Sequence, residues 1–486
     1  MPEIPPWLNS MAEIVGQKGF TRDADEMQPW LTDWRGRYTG QSVALISPAS
    51  TEEVAAIVKI ANAHSVPLVP QGGNSGMVGG ATPDTGGQSI LVSLRRMNAI
   101  RSIDADEQLA VCDAGVILQT FHEALDQHGQ RFPLTLGGKG SATIGGLVST
   151  NAGGTQVLRH GTMRSLVAGV EAVLPDGSIY NGLSALKKDN RGYDLKHLLI
   201  GGEGTLGIVT AATLKTVPAL IDRCVAWAGV DTPQAAYSLF KFLDARESQS
   251  LEGFEIIPKS CLDAVLKHIP GTRPPLELPA SWNILIEIVR DKSAAPDPRE
   301  LGETLLAEAL ENGLISDAAI AANEAQAEAF WKIRDAISDA ERASGPALQH
   351  DISVPVAKMA DFISKAEVQI EKSFPGTKVA AFGHMGDGNV HLHVKAPADV
   401  NPKSGGLQWM VQSSATISPM VYDLVVAMGG SISAEHGIGQ NKRDELLRLS
   451  DDARIMTLRA IKSAIDPKNI MNPGKLVPLA SDTPAS

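Results

Sequence analysis

Two histidines, His384 and His391, flank a glycine-rich bend in the segment FGHMGDGNVHLHV, and further along the chain SAEHGIG places Glu435 beside His436. Two imidazoles and one carboxylate make a three-ligand set that leaves metal positions open, as catalytic zinc requires. His436 is then left over to move a proton. If Val390–Val394 is a strand, its alternation puts His391 and His393 on one face and Val390, Leu392 and Val394 on the other. An isolated histidine in such a run is usually a core residue. Two on one face beside GDGN, with EHG downstream, point instead to metal-assisted chemistry on a small substrate.

The elements that must position these groups fall into two textures. Ser50–Ser65 predicts a helix with a capping box from Ser50 and Glu53 and an apolar stripe at Val54, Ile57, Val58 and Ala61. A short apolar strand, Val66–Val69, leads into the glycine loop at 71–81, and short β-rich runs separated by glycine-heavy loops continue to about Pro218. A second glycine cluster covers Leu136–Gly154. Glycine lets backbone N–H groups approach a phosphate closely, so two such loops in one domain suit a pyrophosphate. Neither belongs to a familiar nucleotide motif. GGKGS at 137–141 lacks the hydroxyl residue after Lys139 that a P-loop needs. Gly202, Gly204 and Gly207 satisfy G-x-G-x-x-G, but the β-rich IVTAATLKTV follows where a dinucleotide fold requires a helix.

After Pro218 helical patterns dominate: Pro233–Ser248 capped by Thr232, Pro298–Asn312, and a long helix from about Ala319 to Ser344. Between them lie the β runs WNILIEIV, DISVPV and VHLHV. A last helix, Asp451–Ile465, ends ahead of Pro467. The expected fold class is α+β. The expected divisions are a helical lead-in at 1–32, a domain at 33–220, a second α+β domain at 221–429, a returning segment at 430–478 and a tail at 479–486.

With 486 residues, 43% hydrophobic and 20% charged, the composition fits a soluble protein of two or three domains. A net charge of −12 disfavours nucleic acid or an anionic membrane as partner. Cys112, Cys224 and Cys261 form no framework and read as reduced core thiols of a cytoplasmic protein. No signal peptide or transmembrane segment is recognisable.

Six ordered motifs carry a resemblance: PLVPQGGNSGMVGGA, LGGKGSATIGGLVSTNAGGTQVLRHGTMR, KKDNRGYDLKHLLIGGEGTLGIVT, GHMGDGNVHLH, EHGIGQNKRDEL and IDPKNIMNPGKL. Together the chain resembles the PCMH-type flavoproteins of the vanillyl-alcohol-oxidase superfamily, in the branch of the D-2-hydroxyglutarate and D-lactate dehydrogenases. The resemblance implies FAD bound by Pro70, Gly72, Gly73, Asn74, Ser75, Gly79 and Gly80. Gly138, Ser141, Gly145, Thr150, Asn151, Gly154 and Gly161 follow, then Glu203, Gly207, Ile208 and Asn472. Covalent members often have a histidine where Asn74 stands, so non-covalent FAD is expected. It also implies a divalent ion, zinc first, on His384, His391 and Glu435, with His436 as base and hydride passing to flavin N5.

For substrate, the resemblance points to Arg334 and Ser338, four apart and so on one face of the long helix. The branch carries a lysine where this chain has Gln349, and an asparagine where it has His393. Gln349 donates hydrogen bonds but forms no ion pair, although His350, Arg334 or Lys395 could compensate. D-2-hydroxyglutarate leads, and D-lactate or D-malate stay open. The expected acceptor is an electron-transfer flavoprotein or a quinone, and a homodimer is allowed. The alternatives are an oxygen-using oxidase of the same fold, a flavin-free metal hydrolase, and a non-catalytic subunit of a glycolate-oxidase-like complex.

Overall fold

The computed structural model describes residues 5–292 and 295–479; the expected tail lies almost wholly outside them. The chain forms two compact units, one of Met1–Gly154, His160–Ala219 and Glu435–Ser486, the other of Thr155–Arg159 and Leu220–Ala434. Besides the short excursion Thr155–Arg159, the crossings fall at Ala219/Leu220 and Ala434/Glu435, against expected boundaries near 220 and 430.

The first unit holds two larger sheets and a two-stranded one in which Val217–Pro218 pairs with Gln130–Arg131. In the four-stranded one, Ala44–Ile46, Ile90–Ser93 and Leu68–Gln71 run parallel, and Phe20–Thr21 pairs antiparallel at the edge. The helix Thr51–His64 joins two of the parallel strands. Its N-cap is the expected one: Ser50 accepts from Glu53 N, and the Glu53 carboxylate accepts from Ala49 N at 2.7 Å. Val54, Ile57, Val58 and Ala61 are buried on its inner face. The five-stranded antiparallel sheet runs in the order Ile100–Asp104, Leu109–Asp113, Ile208–Lys215, Val167–Val173, Ile179–Gly182. Buried Glu171 ties helix to sheet, accepting from Thr51 at 2.7 Å and Thr210 at 2.9 Å and facing Arg101 at 3.0 Å.

The cluster at 136–154 is only half loop, because Ile144–Thr150 is helical. Glycine is normally a poor helix former. Here Gly145 is required by packing, since a Cβ on it would fall 2.6 Å from Ala114 Cβ. After Gly207 the chain enters the strand Ile208–Lys215, which excludes the dinucleotide reading of 202–207.

The second unit is built on a seven-stranded antiparallel sheet. Its order is Asp317–Ile320, Asp222–Val230, Trp282–Arg290, Leu251–Pro258, Lys378–His384, Asn389–Lys395, Ala347–Ser353. Along Leu251–Pro258, Phe254 packs edge-on against Phe240 of the helix Pro233–Glu247, while Ile257 points to a core containing Cys261, Phe330, Ile337 and Phe382. The single long helix expected from Ala319 does not form. Asp317–Ile320 joins the sheet edge, Asn323 caps a new helix Glu324–Asp335 by accepting from Gln326 N, and Ile337–Ser344 follows after a break at Ala336. The alternation DAAI before an Asn cap is the local reason: it suits a sheet edge, and the cap restarts the helical period. Among the described residues no helix is long and apolar enough to cross a membrane.

Candidate active site

The strands Lys378–His384 and Asn389–Lys395 form a hairpin closed by Met385–Gly388. Gly388 has φ +80°, and a Cβ there would lie 2.1 Å from Val354 O, so the bend needs glycine. The register pairs Phe382 with His391 and Ala380 with His393, and Ala347–Ser353 pairs Gln349 with His393 and Asp351 with His391. Directly opposed residues share a face, so His391, His393, Gln349 and Asp351 project together. Phe382 lies under both histidines, with ring centroids 5.2 and 5.0 Å away.

His384 joins them in an edge-to-face contact with His391, centroids 5.5 Å apart. Behind each ring stands a buried carboxylate. Glu255, fully buried, accepts from His384 Nδ1 at 2.5 Å and from Arg334 Nε at 2.6 Å. Asp351 lies 3.9 Å from His391 Nδ1 and accepts from Asn389 Nδ2 at 2.9 Å. Burial alone would push the Glu255 carboxyl up, but the charges of Arg334 and His384 outweigh it and hold the group below the usual carboxylate range. The Glu255 carboxylate on Nδ1 fixes the His384 tautomer and leaves Nε2 as a lone-pair donor, the arrangement of metal-ligating histidines. The donor set therefore fits a divalent cation.

Farther along the same strand, His393 Nδ1 lies 3.8 Å from Glu341 Oε2, and Lys395 Nζ donates to Glu341 Oε1 at 2.7 Å. Burial would raise the Glu341 carboxyl, yet His393 and Lys395 hold it down. Gln349 is half-buried opposite His393.

The structure places Arg334, Ser338 and His350 differently from one another. Arg334 is not on a solvated face or free to bind substrate with its whole guanidinium, because it is buried and its Nε is taken by Glu255. Ser338 does not share its face: the helix breaks at Ala336, and Ser338 is exposed. His350 cannot replace a lysine at position 349, because it lies opposite Leu392 on the other face and bonds Ser418 Oγ at 2.9 Å. Glu435 and His436, both half-buried, are the first residues of the segment that returns to the first unit.

In the first unit the two glycine stretches are pressed together. A Cβ on Gly73 would fall 1.6 Å from Ser141 O, and one on Gly72 would fall 2.2 Å from Thr143 Oγ1. Only glycine permits that approach. Gly138 faces Ser75, Gly204 packs on Pro70, and Gly154 passes Thr135. Asn74, at φ +52°, is pinned by its amide to Thr32 O at 2.8 Å. Asn151 closes the helix at φ +50° and accepts from Thr162 and Arg164 N. Thr150 bonds back to Gly146 O, and Gly161 turns at φ +75°. Gly207, beside Val173 O, leads into Ile208 at the head of its strand.

Glu203 departs from a simple cofactor contact. Its two oxygens accept from Ile438 N and Gly439 N, both at 2.7 Å, so the side chain clamps the returning segment. Asn472, at φ +43°, donates to Gly80 O at 2.9 Å and Glu203 O at 2.7 Å. Among the described residues, Asn472 Oδ1, Thr143 Oγ1 and Gln71 Oε1 are buried without a hydrogen-bond partner. Space is open around Gly76, Gly137 and Gly140, where an added Cβ would meet nothing within 4 Å. Open glycine backbone beside orphaned polar atoms fits a phosphate-bearing cofactor such as FAD.

The fold and these loops define an FAD-linked oxidoreductase, and the comparisons agree. Residues 43–182 match the FAD binding domain, and residues 221–476 match the C-terminal domain of FAD linked oxidases. The chain is 37% identical to the mitochondrial D-2-hydroxyglutarate dehydrogenase of Arabidopsis thaliana, covering 96% of this chain and 80% of that protein. It is 35% identical to the Bos taurus enzyme of the same name, over 97% and 83% of the two chains. The similarly named Xanthomonas citri protein is 32% identical over 97% of each. In fold it is similar to p-cresol methylhydroxylase, with a TM-score of 0.73 at 16% identity over 98% and 97% of the chains. Alkyldihydroxyacetonephosphate synthase gives 0.73 at 17% identity over 97% and 86%. The chain belongs to the family of FAD-linked oxidases that contains the D-2-hydroxyglutarate dehydrogenases.

Sequence reasoning missed Glu255, Asp351, Glu341 and Asn389. A signal for the first was present: LEGFEIIP carries two glutamates, Glu252 and Glu255, in a buried and mostly apolar strand. A charge there is rarely tolerated without a partner.

Proposed function

We propose that this enzyme oxidises a D-2-hydroxy acid, D-2-hydroxyglutarate first among the candidates, to the 2-oxo acid. The observation that carries the reading is the pair of carboxylate-backed imidazoles, His384 and His391, in a chain of this family. Together with Glu435 they would hold a divalent ion, zinc by ligand preference. When bound, FAD supplies the two-electron acceptor, and the ion supplies a Lewis acid that makes the substrate hydroxyl more acidic. His436 takes the hydroxyl proton. Glu255 keeps the His384 ring in the donor tautomer, and Asp351 places a negative charge near His391. Arg334 fixes Glu255 and so acts as a positioning residue.

At the far end of the row, Gln349 and His393 hold a distal carboxylate by hydrogen bonds, since Lys395 already neutralises Glu341. FAD is held without a covalent bond, and electrons leave to an electron-transfer flavoprotein or quinone in the cytoplasm. The test is turnover of D-2-hydroxyglutarate with an artificial dye acceptor before and after chelation. Loss of turnover on chelation and its return with zinc support the reading. Unchanged turnover in metal-free protein contradicts it.

A further inference from the structure

The short excursion Thr155–Arg159 leaves the first unit and returns to it at His160. Its neck is closed within the first unit. Met163 N donates to Ala152 O at 2.9 Å, and Asn151 Oδ1 accepts from Thr162 Oγ1 at 3.0 Å. Gly154 is wedged against Thr135 O, and Gly161 turns the chain back at φ +75°. Asn151, Gly154 and Gly161 are positions that the family resemblance assigns to FAD. The neck of this loop therefore serves the cofactor, while its tip belongs to the second unit.

The tip is held by charge and by packing. Only 16% of the Arg159 side chain is exposed, and its guanidinium donates to Glu252 Oε2 at 3.1 Å and to Asp291 Oδ2 at 2.7 Å. Glu252 is the extra residue of a β-bulge, since Leu251 pairs with Ile288 and Gly253 with the next residue, Glu287. A bulge re-aims a side chain out of the strand's alternation, and the one re-aimed here is an acceptor for Arg159. Three residues along the same strand, Glu255 bonds His384, and between them Phe254 O accepts from Met385 N at 3.1 Å. Leu158 packs on the hairpin bend itself: a Cβ on Gly386 would fall 2.7 Å from Leu158 Cδ1. Gly386 lies in the turn that separates His384 from His391.

We propose that this loop couples FAD loading to metal binding, with Arg159 and Leu158 as positioning residues of the metal hairpin. The coupling rests on the FAD and metal readings above and adds a dependence between them. FAD orders the neck, and the neck is continuous in the chain with the tip. An ordered tip holds the bend between the two histidines, so zinc binding then loses less conformational entropy. The effect is reciprocal, and zinc tightens FAD by the same factor.

The experiment uses wild type, Arg159→Met, Arg159→Lys and Leu158→Ala. Zinc affinity is measured by competition with a chromophoric chelator in apoprotein and in FAD-loaded protein. FAD affinity is measured by flavin fluorescence with and without zinc, and thermal melts are run in parallel. Wild type should bind zinc at least about 5-fold more tightly when FAD is loaded, and FAD more tightly with zinc by the same factor. Arg159→Met should bring this ratio close to one. Arg159→Lys should restore part of it, since an ammonium keeps the charge without the fork that reaches both carboxylates. Leu158→Ala, which leaves both ion pairs in place, should lower the ratio as well, and it carries the comparison if Arg159→Met does not fold.

A wild-type ratio of one overturns the proposal. So do variants that melt lower than wild type with the ratio intact, the result of a merely structural role. Wild-type protein that binds no FAD, or no zinc, contradicts the cofactor or the metal reading itself and removes the coupling with it, a separate result seen before any variant is compared.

Discussion

Glu255→Gln is the sharpest perturbation of the proposed metal site, because it changes neither side-chain size nor any ligand. One Glu255 oxygen receives His384 Nδ1 at 2.5 Å and the other receives Arg334 Nε at 2.6 Å. A glutamine has one acceptor and one donor at these two positions. If its oxygen faces His384, its NH2 group opposes the Arg334 guanidinium, donor against donor. If its NH2 group faces His384, the ring must accept at Nδ1 and carry its proton on Nε2, which removes the metal lone pair.

Loss of a carboxylate behind a ligating histidine costs roughly 10- to 100-fold in metal affinity, or about 1.4–2.7 kcal/mol. Removing the Glu255 charge from its buried ion pair with Arg334 costs about 3–5 kcal/mol of fold stability. The assay is zinc competition against a chromophoric chelator at a temperature where circular dichroism shows both proteins folded, with thermal melts in parallel. A Glu255→Gln protein that binds zinc as wild type does and melts at the same temperature would refute the reasoning.

His436→Ala should retain FAD and zinc but lose flavin reduction by at least about 100-fold; near-normal reduction in stopped flow removes His436 from the mechanism. Gln349→Lys should lower KM for D-2-hydroxyglutarate by about tenfold through a new charge-assisted bond and leave D-lactate unaffected. Equal effects on both acids would show that position 349 does not read the distal carboxylate. Burial pushes the Cys112 thiol up to about 12 and the Cys224 thiol to about 11, and Cys261 is raised further by burial. Each is therefore almost wholly protonated at pH 8, with roughly one thiolate in a thousand for Cys224. A disulfide reagent should titrate no thiol in the folded protein and three after denaturation; rapid labelling of the native protein would contradict this.

What could be read from the sequence depended on the range of the interaction. The cap at Ser50 and Glu53, and the alternation that puts His391 and His393 on one face, are set by neighbours within a turn or a strand. The crowding of Gly73 on Ser141 was legible only as two glycine-rich stretches, because contact between loops that far apart in the chain leaves no local pattern. Glu255, Asp351 and Glu341 were invisible for the same reason: each becomes a partner of a histidine only through strand register or helix packing. The single long helix read across Arg334 and Ser338 is divided by a local event, the break at Ala336, which a helical period alone does not reveal.

The most direct test of the account is anaerobic bleaching of the flavin near 450 nm with D-2-hydroxyglutarate, D-lactate, D-malate and their L forms. The account predicts fast bleaching by a D acid, D-2-hydroxyglutarate first, and none by its L form. A yellow protein that no 2-hydroxy acid bleaches would leave the fold standing and contradict the proposed reaction.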